Sequence, residues 1–381
     1  MDREAEERRK KEIPGWVSDT SGRPQLPEES FGEYLDGKAE RNKDTVYLYF
    51  EDRAITYLQL RDRTASIANG LLDMGVKKGE KVAIMGYNSP EHVYSMFAIS
   101  VLGAVHVPVN AALKSDGLIY IVNQSDSETL MVERELWESV EPVRDRLQNI
   151  KRIIILPRDG EGGDSLPSGC ISLKELYRSS SKAPRVVLQP GDMTRILYTS
   201  GTTGLPKGTV ARKAGPNDPP AVARNEEELK YAQRPEDIPY TVLPLFHILA
   251  QVDCSLALSL EGTFAMSRRF SARRFWPEVR KFGCTRFTFA GSIAHVLLKQ
   301  PPQPDDRNHP MRLGHGYTPL RDIKEEFERR FNVLLIENYG SSDYIRGRFL
   351  NLGGPAGSMG KPGPAGPLVK IVDEHGNECP P

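Results

Sequence analysis

Two textures alternate along the first half of the chain: short runs of consecutive apolar residues, and longer stretches with apolar residues on one helical face only. Thr56 opens the first clear case, because the capping-box pattern Thr-x-x-Gln closed by Gln59 lets side chain and backbone satisfy each other's free amides. A helix is expected from there, with Leu60, Ile67, Leu71 and Leu72 on its apolar face and Gly75 as the residue that tolerates a left-handed stop. Residues 81–85 then read as a short buried strand. Ser89 and Pro90 supply an N-cap and a first-turn proline for a second helix through residue 102; Gly103 ends it, and 105–109 reads as the next strand. Strand, helix and strand in this order make a βαβ unit.

The pattern continues with strands at 129–132 and 153–156 and a helix over 134–147 between them. A loop-like stretch, PRDGEGGDSLPSG at 157–169, marks a subdomain edge. A second unit begins near Arg195, with strands at 195–198, 240–243, 286–289 and 333–336 and a helical stretch at 320–331. After Gly353 the texture turns to glycine and proline, and 368–372 followed by DEHGNE reads as a β-hairpin. The expected fold class is α/β: two βαβ-rich subdomains with mostly parallel sheets covered by helices, over 1–175 and 176–350, plus the start of a small β-barrel-like subdomain at 351–381. No repeat at a fixed solenoid period is present.

Composition narrows the classes. With 381 residues, 39% hydrophobic, 27% charged and 8% aromatic, the chain is long enough for more than one core and globular in balance. Lys and Arg total 51 and Asp and Glu total 51, so no net field concentrates the chain on nucleic acid or anionic lipid. Cys170, Cys254, Cys284 and Cys379 lie far apart without zinc spacing and read as reduced structural residues. The charged start MDREAEERRKKEIPGW lacks the apolar stretch of a secretory signal, and the apolar region at 92–109 is too short and too interrupted for a membrane span. A cytoplasmic location is expected.

The stretch that carries chemistry is YTSGTTGLPKG at 198–208, directly after an apolar strand. Gly201, Gly204 and Gly208 let the backbone approach a ligand, and Pro206 restricts the chain before Lys207. Backbone amides, the hydroxyls of Thr199, Ser200, Thr202 and Thr203, and the Lys207 ammonium together suit a polyphosphate. On composition alone, the same residues read equally as an ordinary polar loop. The spacing is not that of the Walker P-loop, since Pro206 stands five residues after Gly201.

This loop resembles the signature of the adenylate-forming superfamily of acyl-CoA synthetases, peptide adenylation domains and luciferases. Further blocks resemble the family in order: ITYLQL at 55–60, NSPEHVYSMFAISVLGAVHVPVN at 88–110, LPLFH at 243–247, NYGSSD at 338–343 and GSMGKPG at 357–363. The blocks are nearest to acyl-CoA and aryl-CoA ligases. The resemblance implies a two-step reaction in which a carboxylic acid attacks the α-phosphate of ATP with Mg2+, giving an acyl-adenylate and pyrophosphate, and a thiol, here coenzyme A, displaces AMP. Positioning and charge neutralisation dominate such a first step, because both reactants are anionic.

By that resemblance, Thr199, Ser200, Gly201, Thr202, Thr203, Gly204 and Lys207 hold the β- and γ-phosphates, and Ser342 contacts the α-phosphate where threonine is usual. Asp343 binds the metal where the family carries glutamate, one methylene longer. Tyr339 stacks on adenine, with the backbone of Gly314, His315, Gly316 and Tyr317 on the other side of the base. Asn338, Gly340 and Ser341 face the bound nucleotide and the acid, and His247 borders the acyl pocket. Read without the family, Tyr339 and His247 are equally core residues beside a strand, and 248–260 is either a pocket wall or a core helix.

Two departures accompany the resemblance. The family continues after the loop into an amphipathic helix, whereas the prolines of TVARKAGPNDPPAVARNEEELKYAQRPED forbid a continuous helix there. The ribose-binding aspartate motif, the hinge and the C-terminal domain with its catalytic lysine have no counterpart in these 381 residues. Alongside the ligase stands a second expectation, a nucleotide-binding or regulatory subunit that keeps the fold without full turnover.

Overall fold

The computed structural model describes residues 29–157, 166–178, 180, 182–199, 204–214, 233–234, 236–341, 344–352, 354–362 and 369–379. Helices form where the chain supplies its own caps. In α1 (Phe31–Arg41) the Ser30 hydroxyl accepts from the Glu33 amide, and the Glu33 carboxylate accepts from the Ser30 amide. A hairpin of β1 (Val46–Phe50) and β2 (Arg53–Thr56) leads into α2 (Tyr57–Asp73), where Thr56 and Gln59 make the expected reciprocal bonds. β3 (Lys81–Met85), α3 (Pro90–Val101), capped by Ser89, and β4 (Val105–Val109) complete the expected βαβ unit. α4 (Ser115–Gln124), β5 (Thr129–Glu133), β6 (Arg152–Leu156) and the short β7 (Ile171–Ser172) follow.

The helix expected over 134–147 is instead broken into a 3-10 turn (Arg134–Leu136), one α turn (Trp137–Val140) and a second 3-10 segment (Glu141–Arg146). Pro142 is the cause: it offers no amide to the preceding turn and its ring crowds it.

The chain then forms a hairpin of β8 (Met193–Thr199) and β9 (Lys207–Arg212), followed by β10 (Pro239–Thr241), α5 (Ile248–Ser259) and β11 (Phe264–Met266). Next come α6 (Ala272–Phe282), β12 (Arg286–Ala290), α7 (Ile293–Leu298), β13 (Leu313–Tyr317) and α8 (Lys324–Phe331). β14 (Leu334–Ser341), β15 (Tyr344–Asn351) and β16 (Lys361–Pro362) end the order. The segment that departs from the family after Lys207 begins as strand β9, and residues 215–232 lie outside the described residues.

Two mixed, mostly parallel sheets result. One has seven strands in the order β7-β6-β5-β3-β4-β8-β9, the other nine in the order β16-β15-β14-β13-β12-β10-β11-β1-β2. The strands β3 to β6 are almost continuously apolar, as strands buried on both faces must be. Each sheet takes strands from the far side of residue 175: β1 pairs in parallel with β11, and β8 with β4. A division of the sequence at that point therefore does not divide the sheets. The barrel expected at 351–381 does not close among the described residues; β16 extends the nine-stranded sheet, and Val372 bridges Glu378 around a turn held by the Asp373 carboxylate.

Candidate active site at the strand ends

In the nine-stranded sheet, β11, β10, β12, β13 and β14 run parallel to one another. Ligands in open α/β sheets bind beyond the carboxyl ends of such strands. That edge gathers three of the residue groups read from the sequence: His247 shortly after β10, Gly314 to Tyr317 closing β13, and Asn338 to Ser341 closing β14.

The end of β14 is held by a carboxylate that sequence reading missed. Buried Glu337 accepts the Leu320 amide at 2.7 Å, the Gly357 amide at 2.8 Å and the Asn351 side-chain amide at 3.0 Å, so three segments fix the backbone just before Asn338. Asn338 is 7% exposed, yet neither its amide nitrogen nor its oxygen has a hydrogen-bond partner. An unpaired buried amide is costly and calls for an incoming polar group. Tyr339 is 47% exposed, its ring edge-on to Phe349 at 5.7 Å, which leaves a face open for stacking. Between Gly340 and Ser341 the register with β15 shifts, a break in the ladder of the kind found beside active sites.

The glycines of β13 have a packing cause of their own. A Cβ at Gly314 would lie 2.6 Å from the Phe287 ring, and one at Gly316 would lie 2.3 Å from the Phe289 ring. His315, between them, turns its side chain to the other face, where Nε2 lies 3.2 Å from the Arg286 guanidinium. There it joins a part-buried polar row. Thr241, Thr288 and His315 stand in register on β10, β12 and β13, and Asp253 of α5 accepts from the Thr241 hydroxyl at 2.9 Å and the Thr288 hydroxyl at 3.4 Å. Burial pushes the Asp253 carboxyl up to about 6, and burial lowers Arg286 to about 10 against the pull of Asp237. Burial alone would raise Asp237, but bonds from Arg312 and from the Arg234 amide, with the charge of Arg286, hold it below its usual range.

His247 is the N-cap of α5: its Nδ1 accepts from the Leu249 amide at 3.3 Å, which places the ring proton on Nε2, and burial lowers its pKa. The 248–260 stretch is thus a helix on a histidine cap.

The glycine-rich loop ends on the other sheet. Register places Thr199 opposite Lys207, so the two ends of the loop are brought together with the Lys207 side chain exposed. Gly208 is required here, since a Cβ would lie 2.9 Å from Ile196. Tyr120 anchors the loop by donating to the Pro206 carbonyl at 3.1 Å. Gly204 is exposed with open space around it; Ser200 to Thr203, Ser342 and Asp343 lie outside the described residues.

The carboxyl edges of the two sheets are stitched by residues whose role the sequence did not signal. Buried Asn88, after β3, donates to the carbonyls of Leu243 and Ser267, each at 2.9 Å, and accepts from the Leu245 amide at 2.7 Å. Arg268 pairs with Glu133 at 2.5 Å and Glu135 at 2.9 Å, and the Arg269 guanidinium lies 3.4 Å from the centre of the Tyr87 ring.

Comparison with known proteins decides the family, because residues 35–381 match the one described as AMP-binding enzyme. The chain belongs to the AMP-binding enzyme family. A crotonobetaine/carnitine–CoA ligase of Salmonella heidelberg (strain SL476) is 30% identical over 316 residues, 80% of this chain and 59% of that protein. The same-named ligase of Salmonella paratyphi A (strain ATCC 9150 / SARB42) is 30% identical over 323 residues, 82% of this chain and 61% of that protein. The chain thus spans about three-fifths of the length of the curated relatives it matches. Among solved structures, an anthranilate CoA ligase in complex with anthranoyl-AMP superposes with a TM-score of 0.78 at 22% identity, covering 95% of this chain and 69% of that one. An o-succinylbenzoate coenzyme A synthetase from Bacillus subtilis, in complex with AMP, gives 0.70 at 20%, covering 91% and 67%. At these identities the likeness establishes the AMP-binding fold, two mostly parallel sheets with helices. Among the described residues no helix is long and apolar enough to cross a membrane.

Proposed function

We propose that this chain is the nucleotide- and acid-binding part of an ATP-dependent acid–thiol ligase acting in the cytoplasm. The acid's carboxylate oxygen bonds to the α-phosphorus of ATP, the bond from that phosphorus to the bridging oxygen breaks, and pyrophosphate leaves. The coenzyme A sulfur then bonds to the acyl carbon, and AMP leaves with the anhydride oxygen. The observation that carries this reading is Asn338, a buried amide with both atoms unpartnered, one residue before half-exposed Tyr339 at the carboxyl edge of the parallel strands.

In this reading the hydroxyls of Thr199, Ser200, Thr202 and Thr203 and the Lys207 ammonium take the β- and γ-phosphates, and Ser342 takes the α-phosphate. Tyr339 stacks on adenine, Asn338 pairs with the ligand, and neutral His247 borders the acid beside Gly340 and Ser341. The Mg2+ site rests on the Asp343 carboxylate. Mg2+ supplies charge neutralisation on the phosphates, and one carboxylate with phosphate oxygens and water is a donor set that suits it. Among the described residues no group of three or more His, Cys, Asp and Glu side chains converges as a metal cage, and a metal held this way needs none.

A second reading, nucleotide binding without turnover, is favoured by the shorter aspartate at position 343. Acid-dependent exchange of label between pyrophosphate and ATP, across short, long, aromatic and polycyclic acids, separates the two. Exchange with one acid supports the ligase, and ATP binding without exchange supports the second reading.

A further inference from the structure

Away from the strand ends, a cavity of about 120 Å³ lies along the seam between the helices of the two sheets. One stripe of α5 lines it: Gln251, Ser255, Leu258 and Ser259, at helical spacing. Across from that stripe stand Met96 and Phe97 of α3, and Leu188 of the segment leading to β8. Gln251 and Ser259 are eight residues apart, so the slot runs about 12 Å at 1.5 Å per residue.

Its two ends differ in chemistry. At the Gln251 end, the Arg195 guanidinium donates to Gln251 Oε1 at 3.1 Å, and Arg195 stands in register with His106 of β4. Lys213 also lines the cavity. His106 is 3% exposed, and burial, with His92 and Arg195 nearby, drives its pKa well down, so it is a neutral imidazole beside the guanidinium. At the Ser259 end the wall is Phe31 and Tyr34 of α1, with the Tyr34 hydroxyl 3.5 Å from the Ser259 hydroxyl; Glu29, just before α1, is the one carboxylate lining the cavity among the described residues. A guanidinium at one end of a slot walled by Met96, Phe97, Leu188 and Leu258 is matched by an anion with a hydrocarbon body.

We infer that this seam cavity is a binding site for a slim, medium-chain monocarboxylate, its carboxylate at the Arg195 end and its hydrocarbon running along α5 towards Ser259. None of its lining residues belongs to the site at the strand ends, and the inference does not depend on the proposed ligase activity. Because α3 and α5 belong to different sheets, occupancy fixes one sheet against the other.

Titration calorimetry on the whole chain with octanoate, and with 1-octanol as the uncharged match, tests it. Octanoate is expected to bind, octanol about tenfold or more weakly, and Arg195→Gln to weaken octanoate about tenfold while leaving octanol unchanged. Ser255→Phe, or Leu258→Phe if the first does not fold, fills the slot and abolishes binding while thermal unfolding stays cooperative. Binding should persist with an acyl-sulfamoyl adenosine occupying the strand-end site. Absence of octanoate binding, equal binding by all variants, or displacement by the adenosine analogue would each overturn the assignment.

Discussion

The seven-stranded and nine-stranded sheets bury their strands in different company. In the first, the interior between the strand ends is apolar, its ion pairs, Arg152 with Glu80 and Arg268 with Glu133, lie at the strand ends, and its buried imidazoles, His92 and His106, are kept uncharged by burial, His92 lowered to about 4. In the second, Asp237, Arg286 and Arg312 pair at the amino ends of β10, β12 and β13, and Asp253 holds Thr241 and Thr288 further along the same strands. Between its strand ends the first sheet needs only volume and pattern. The polar one needs every partner, since a buried charge that loses its partner costs far more than the pair contributes. What differs is tolerance: the seven-stranded sheet is the forgiving one, and the strands whose ends are proposed to hold adenine and acid, β13 and β14, belong to the exacting one.

The strongest way to break this comparison is Asp237→Ala. It strands buried Arg286 and removes both carboxylate bonds to Arg312, so denaturant unfolding should report a loss of about 3–5 kcal/mol. An apolar substitution of similar size in β3, such as Ile84→Val, should cost only about 1 kcal/mol.

The acid limb of stability distinguishes the first sheet. His92 is fully buried with its folded pKa lowered from 6.5 to about 4, so its contribution is present above pH 6.5 and is lost as pH falls towards 4, a change of about 3 kcal/mol. Unfolding free energies of His92→Leu between pH 7 and pH 4 should lack that slope. A slope identical to the parent's would contradict the account of His92.

Asn88→Ala leaves the Leu243 and Ser267 carbonyls and the Leu245 amide without their partner, which should cost about 2–3 kcal/mol. Hydrogen exchange at Leu245 should rise more than exchange in β3, because the stitch belongs to the sheet edges.

Asp253 reverses the sign. Its folded pKa is raised to about 6, so its stabilising contribution is complete below its unfolded value and is lost as pH rises through 6. Asp253→Asn, which stays neutral, should be about 2 kcal/mol more stable than the parent at pH 8 and match it near pH 4, as read by urea unfolding at both values. The smallest effect falls on the exposed loop. Lys207→Ala should weaken ATP binding about tenfold, with little change in stability.

Local chemistry was legible in the sequence wherever the cause was local. The Thr56 capping box, the Ser89–Pro90 start and the apolar strands β3 to β6 form as their residues imply, because caps and periodicity act within a few positions. The break at Pro142 is equally local, since a proline inside a helical stretch removes an amide and crowds the preceding turn. Long-range pairing was not legible: nothing in VYLYF at 46–50 says that it lies beside residues 264–266. The same holds for Asn88, Glu337 and the row under β13, whose partners come from distant segments. The loop at 198–208 showed its phosphate chemistry in its residue types, the motif residues of β13 and β14 were legible only through family resemblance, and the geometry added what resemblance lacked: the phenyl rings behind Gly314 and Gly316, and the unpartnered Asn338 amide.

The most direct test of the central claim, an acid-activating ATP site at the strand ends, is pyrophosphate–ATP exchange measured with and without a panel of carboxylic acids. The account predicts exchange above the acid-free blank with at least one acid, and its loss in Lys207→Ala and Asp343→Ala. No acid-dependent exchange with any member of the panel, while ATP remains bound, would contradict it and leave a nucleotide-binding protein in its place.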